Sequence, residues 1–316
     1  MTVRGPVRAP ATALPMADTA TSPQARQALR RRASAFLNRH PRAKMALLLA
    51  PPMGWMGVVY LGALALLLAS AFWRLDPLTS GIVKKIGLQN FKTLIEEDVY
   101  RKIAVRTIGI AAAVTVTDTV LAFPLAYYAA RLASPKARAA ILLSVTLPLW
   151  SSYLVRVYAW RVILDQSGIA NWTIHKLGLG GIDIGYSDWA VWIVFSYIWL
   201  PFVVFPIYAA LERIPDSFIE ASSDMGARWG TTLRRVVLPM ALPGIVAGSI
   251  FSFSLTLGDY IAPNLVGNTQ FIGNVVYSNV GVAGNVPFAA AYALVPIAVM
   301  AVYLFIARRL HAFEAL

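Results

Sequence analysis

Few side chains in this sequence can do chemistry, and the most telling of them sit together. Glu220 and Asp224 lie four residues apart in Ser217-Phe218-Ile219-Glu220-Ala221-Ser222-Ser223-Asp224-Met225-Gly226, a polar island between two long apolar segments. On a helix these two carboxylates share a face and repel slightly, so a cationic partner outside the chain would relieve them. The chemistry they offer is docking. Ser217 and Glu220 fit a capping box, with Ser217 at the helix start and Glu220 reaching back to its N–H. Gly226 readily takes the left-handed conformation that ends a helix. A second helix is predicted from Gly230-Thr231-Thr232 through Leu233, Val236 and Val237. The plain alternative is a well-capped polar loop.

A second group of candidates lies inside apolar segments, where ionisable residues are costly and usually functional. Asp118 falls about 16 Å into its helix at 1.5 Å per residue. Ala111, Thr115, Asp118 and Ala122 recur at helical spacing, a small polar face that either packs against another helix or lines a path; packing, with Asp118 hydrogen-bonded or protonated, is the preferred reading. Ser249, Ser252, Thr256 and Asp259 form a polar stripe further on, with Tyr260 beside it. Trp150, Tyr153 and Arg156 belong to the same outer region. Arg156 and Asp259 either form a structural ion pair, or Asp259 and the aromatic rings guide a cation by charge and cation–π attraction.

Much other chemistry is excluded. There is no cysteine, and His40, His175 and His311 are far apart, so no metal cluster and no nucleophile beside a histidine is expected. No lysine follows a glycine, so the usual phosphate-binding loop is missing. If ATP drives this protein, a partner holds the ATP and its Mg; the chain itself is expected to bind no cofactor. A membrane-embedded protease built on Asp118 and Asp259 lacks the sequence context such a pair needs.

The elements that must hold these residues are membrane helices. The 316 residues are 58% hydrophobic and 14% charged, against about 25% charged in a soluble domain. Six apolar segments, near 45–73, 107–128, 139–160, 189–211, 240–261 and 287–306, reach the length of about 20 residues that spans a bilayer. The alternation of a barrel strand is absent, so helices must satisfy the backbone. With both termini in the cytoplasm, the tails and even-numbered loops carry most of the 28 Lys and Arg. The 212–239 loop between spans four and five is then cytoplasmic. The net charge of +13 fits attraction to anionic lipid headgroups; no nucleic-acid partner is expected. Residues 1–44 are read as a separate, disordered and basic extension whose 24–44 stretch lies on the membrane surface as a helix. The Arg30-Arg31-Arg32 run faintly resembles a twin-arginine signal, but the apolar segment after it is too long for one. Residues 45–316 form the transmembrane domain.

The 220–239 segment also resembles the cytoplasmic loop of importer permeases of the ATP-binding cassette (ABC) superfamily. Their pattern is Glu-Ala-Ala, three residues, Gly, nine residues, Ile, one residue, Leu-Pro. This chain matches at Glu220, Ala221, Gly226, Leu238 and Pro239, and departs at Ser222 for Ala and Val236 for Ile. The resemblance narrows at Leu147-Pro148-Leu149-Trp150-Ser151-Ser152-Tyr153-Leu154-Val155-Arg156-Val157-Tyr158-Ala159-Trp160, which is similar to the third span of spermidine/putrescine permeases. Phe123-Pro124-Leu125-Ala126-Tyr127, Gly258-Asp259-Tyr260, Ile272-Gly273-Asn274-Val275-Val276 and Leu88-Gln89-Asn90-Phe91 fit the same family. It implies a type I importer permease of six spans in a bacterial inner membrane. The expected partners are a second, usually different permease, two ATPase subunits and an extracytoplasmic solute-binding protein. Residues 217–226 would dock in an ATPase cleft, with Glu220 meeting a basic residue and Ala221 and Gly226 allowing close approach. The implied solute is a polyamine; an amino-acid derivative, an opine or a metal complex carried by the same machinery, or a self-contained secondary carrier, are the alternatives.

Overall fold

The computed structural model describes residues 41–76, 78–178 and 184–309. The expectation for the N-terminal extension therefore falls almost wholly outside the described residues. Two units are distinguished, 1–64 and 65–316. Helix α1 (Lys44–Ser70) is apolar enough to span a membrane; Pro51 and Pro52 lie within it, and a wider π turn follows at Met56–Leu61. Prolines cannot donate to the helical ladder, and such interruptions commonly go with a change of pitch.

In the second unit a two-stranded hairpin, β1 (Arg74–Leu75) and β2 (Ile82–Val83), pairs Arg74 with Val83. Helices α2 (Gln89–Glu96) and α3 (Asp98–Leu132) follow. Next come α4 (Pro135–Trp150), α5 (Tyr153–Leu164), α6 (Ile169–Lys176) and α7 (Asp188–Glu212). The chain continues with α8 (Asp216–Asp224), α9 (Trp229–Gly258), α10 (Ile261–Val266), α11 (Ile272–Gly281) and α12 (Val286–Arg309).

Among the described residues five helices (α1, α3, α7, α9 and α12) can each cross a membrane unaided. The predicted third span, 139–160, is not one continuous helix. α4 and the segment that follows it meet at 96°, giving a sixth span only if the bent pair counts as one. Pro148 sits in a 3₁₀ turn, Leu147–Trp150, and the backbone of Ser151 is extended. Ser151 satisfies the carbonyl of Pro148 with both its N–H (3.2 Å) and its hydroxyl (2.7 Å), the repair a broken span needs where no water is available. The second predicted span also starts late: α3 extends to Asp98, because Arg101, Lys102 and Arg106 dilute the apolar pattern of its first turns without breaking the helix.

The core is a three-helix packing of α3, α7 and α9. Small residues make it close. A Cβ added at Gly244 of α9 would lie 2.5 Å from both the Ala210 Cβ and the Pro206 carbonyl oxygen of α7. At Gly248, one turn on, it would lie 3.0 Å from the Val203 backbone. This spacing of small residues is how membrane helices gain van der Waals contact without a hydrophobic drive. At one end the core joins Ala122, Ala126 and Ala130 of α3 to Val203, Val204, Ile207 and Leu211 of α7 and to Val237 and Ala241 of α9. α12 closes the side, with Tyr303 hydrogen-bonded to Ser249 at 2.7 Å and its ring 5.1 Å from Phe253.

Candidate functional site

The 213–229 turn at the Ala126/Leu211 end of the core carries the acidic helix. α8 begins one residue before the predicted capping box. Its first residue is Asp216, Pro215 holds the cap position, and no side chain caps it. Ser217 is inside the helix, so its hydroxyl cannot serve as the cap. The start is set from another direction. Arg131 of α3 donates through Nη1 to Asp216 Oδ1 (2.6 Å) and through Nη2 to the carbonyls of Leu211 (2.6 Å) and Ile214. The far end behaves as the sequence predicts. Gly226 has φ +76°, its N–H donates to Ser223 O (2.8 Å), and that of Ala227 donates to Ser222 O (3.1 Å), the pairing of a Schellman stop.

α8 presents two sides. Ile219 packs on the core, and Ser222 is buried with its hydroxyl 2.9 Å from Thr232 Oγ1 at the start of α9. The residue that departs from the family's Ala thus pins the two short helices together. Phe218, Glu220, Ala221, Asp224 and Gly226 are exposed. Met225 is 82% exposed and Trp229 53%, although the Trp229 ring rests 5.3 Å from Tyr127 of α3. From Trp229 the helix runs without a break through Leu238 and Pro239 to Gly258, passing a π turn at Leu233–Val237. Only the short 225–228 turn separates α8 from a helix long enough to span a membrane.

The second group is divided by the fold. Asp118 is fully buried, and its Oδ2 accepts from Ser252 of α9 at 2.6 Å. Ala111, Thr115 and Ala122 are buried with it, so this face packs α3 against α9. Thr256 returns its hydroxyl to the Ser252 carbonyl (2.8 Å). Asp259 pairs with Tyr153, whose hydroxyl donates to Oδ2; Oδ1 accepts the N–H groups of Ile261 (2.7 Å) and Ala262 (3.0 Å). From the residue before the cap position, Tyr260, its carboxylate thus holds the first two N–H groups of α10. The ion pair between Arg156 and Asp259, one of the two alternatives the sequence left open, is not formed among the described residues: the guanidinium lies 5.9 Å from the centre of the Tyr153 ring, and its Nε and Nη1 are buried without partners. Backbone donors at the start of α10 satisfy the carboxylate first. Trp150 is 77% exposed at the end of α4, apart from these contacts. Tyr260 stacks on Tyr277 of α11, with ring centres 4.5 Å apart.

Sequence reasoning missed Trp199 and Ser196 of α7. The Trp199 ring stacks on Tyr153 at 5.9 Å, and Trp199 Nε1 and Ser196 Oγ are buried without partners. Their only sequence signal was polar atoms inside an otherwise apolar span.

Residues 122–313 match the family described as "Binding-protein-dependent transport system inner membrane component". The chain belongs to this family. The permease is 46% identical to the inner membrane ABC transporter permease protein YdcU of Escherichia coli (strain K12), over 90% of this chain and 95% of that one. It is 29% identical to the spermidine/putrescine transport system permease protein PotB of the same organism, over 80% and 93%. Its fold matches a chain of a bacterial alginate ABC transporter solved in complex with an alginate pentasaccharide-bound periplasmic protein, with TM-score 0.71, 19% identity, and 89% and 97% of the two chains covered. The permease is thus a multi-pass inner-membrane subunit of an ABC importer with the type I fold, and not an enzyme; hydrolysis belongs to partner subunits.

Proposed function

We propose that this permease forms, with a second and different permease, the membrane path for a small cationic solute, spermidine or putrescine, and that α8 is its coupling helix. A solute-binding protein delivers to the path, and two ATPase subunits holding ATP and Mg drive it. The observation that carries the reading is the free surface around α8: Glu220, Asp224 and the apolar Phe218 stand exposed on the helix, with Met225 at its end and Trp229 at the start of α9 exposed beside them, while its other face is locked to α9 through Ser222. Large exposed apolar groups rimmed by charge mark a protein contact. With α8 on the ATPase side, both termini are cytoplasmic. Closure of the ATPase pair moves α8, and α9 moves with it because the Ser222–Thr232 contact and the short turn between them tie the two helices together. The spans then change which side they open to, and the cycle runs by binding each state differently.

Support for a polyamine comes from the named function of the PotB relatives and from carboxylate and tyrosine side chains gathered at 153 and 259–260. Uptake of labelled spermidine into proteoliposomes, dependent on ATP and the binding protein and abolished with α8 docking, is the test. Uptake that needs no ATPase would establish a self-contained carrier.

One observation favours a second reading of the solute. Asp259 is fully engaged by Tyr153 and two backbone donors, whereas the buried atoms without partners on Arg156, Ser196 and Trp199 include three N–H donors. Such groups suit a solute that also carries a carboxylate, as an amino-acid derivative or an opine does. Competition of spermidine uptake by such compounds, and not by diamines, would decide for it.

A further inference from the structure

The two ends of the 213–215 turn are held by one side chain. Arg131 lies in the π turn Tyr128–Leu132 that ends α3. Its side chain, only 11% exposed, reaches the Leu211 carbonyl in the last turn of α7, the Ile214 carbonyl in the turn and the first-turn carboxylate of α8. The carbonyl end of a helix leaves acceptors unpaired and carries partial negative charge, so a cation there is favoured twice over. A planar fork with donors on both arms is what permits three acceptors on two elements to be held at once; a lysine ammonium has no such geometry.

The surroundings repeat the connection. Arg138, near the start of α4, donates to the carbonyls of Ala129 (3.0 Å) and Ala130 (3.2 Å) and lies 3.7 Å from Glu212, which also accepts from Tyr208 at 2.9 Å. Trp229 leans on Tyr127, and Ile219 packs on the cluster that holds Ala126 and Ala130. The last turns of α3 are therefore the seat of α8. Thirteen residues up the same helix, about 20 Å at 1.5 Å per residue, Asp118 bonds to α9 in the middle of the core.

Resting on the reading of α8 as the coupling helix, we propose that Arg131 is a positioning residue: a strut that delivers the displacement of α8 to α3 and the α3–α4 turn, in parallel with the continuous chain into α9. Without it, α8 drives α9 alone, and α3 lags. Asp216 is the informative half of the contact. Its side chain is 80% exposed, so its loss leaves the helix-end carbonyls bonded and the fold intact.

The test uses the assembled complex with its ATPase subunits in nanodiscs. This chain has no cysteine, so spin labels go on Val120→Cys in α3 and Arg228→Cys beside α8. Their separation is read by double electron–electron resonance with nucleotide absent and after trapping with Mg, ATP and vanadate. The expected result is a wild-type separation constant to about 2 Å, the scale of packed-helix shifts. In Asp216→Asn and Arg131→Gln the trapped-state distance moves beyond that or broadens, and Arg131→Lys is intermediate. Unchanged distances in all three variants, or a wild-type distance that itself shifts as far, would overturn the strut. A wild-type chain that neither holds an ATPase subunit nor supports vanadate trapping removes the docking reading itself, and the strut with it.

Discussion

Replacing Gly226 separates the two things this position does. With φ at +76°, the backbone is in the left-handed region, and a Cβ built there meets nothing within 4 Å. A side chain therefore costs strain and not a clash within the chain. For an ordinary L residue that strain is about 1–2 kcal/mol, and the two hydrogen bonds of the stop, from Gly226 and Ala227, weaken with it. At 1.4 kcal/mol per factor of ten, Gly226→Val should lower the equilibrium constant between correctly ended and frayed α8 by roughly tenfold. The core of α3, α7 and α9 is untouched, so insertion and expression should hold. Asn tolerates the left-handed conformation, and its bulk projects outward. If the ATPase approaches closely here, Gly226→Asn and Gly226→Asp should weaken docking as much as Gly226→Val, while Gly226→Ala falls between. If only the backbone matters, Asn should be near wild type and Ala worse. Co-purification of the ATPase subunit and stimulated ATP hydrolysis in nanodiscs provide the readout. Full docking and full stimulation by Gly226→Val would refute both the strain argument and the role assigned to α8.

Gly248→Leu should destabilise the bundle by about 1–3 kcal/mol through overpacking, seen as a lower unfolding temperature in detergent, because the space beside it is filled by the Val203 backbone. Ser252→Ala removes the donor to buried Asp118 and should cost about 1–3 kcal/mol; Ser252→Ala combined with Asp118→Ala should recover part of that loss in the same melt. For Tyr153→Phe, Asp259 keeps its two backbone donors, so stability should fall by only about 1 kcal/mol. Asp259→Ala also removes the acceptor for the first N–H groups of α10 and should unfold more readily than Tyr153→Phe; Asp259→Asn, which keeps an accepting oxygen, should lower spermidine uptake in proteoliposomes more than it lowers assembly.

What the sequence disclosed followed from periodicity and from residues with narrow conformational meaning. Long apolar runs located α1, α7 and α12, whose ends agree with the predicted segments to a few residues, and Gly226 ended α8 as its type requires. The break at Ser151 escaped because hydropathy is blind to backbone geometry: residues 139–160 are apolar on both sides of the bend, and Pro148 alone does not separate a kink from a reversal. The cap at Ser217 failed because a local motif was outvoted by a distant side chain. Arg131, 85 residues away from Asp216, fixes where α8 begins, and in the sequence it counted only as positive charge. Of the two alternatives for Arg156 and Asp259, the ion pair is absent for a related reason. Opposite charges on neighbouring spans looked complementary, but the N–H groups immediately after Asp259 were nearer and already aligned. Asp118 shows the converse: its small neighbours at helical spacing foretold packing, and the α3–α9 contact is there.

The most direct measurement is a structure of the permease assembled with its partner permease and ATPase subunits. It should place residues 216–226 in a cleft of an ATPase subunit, with Glu220 opposite a basic side chain and Phe218 and Met225 covered. A complex in which α8 meets only solvent or residues of its own chain would contradict the account.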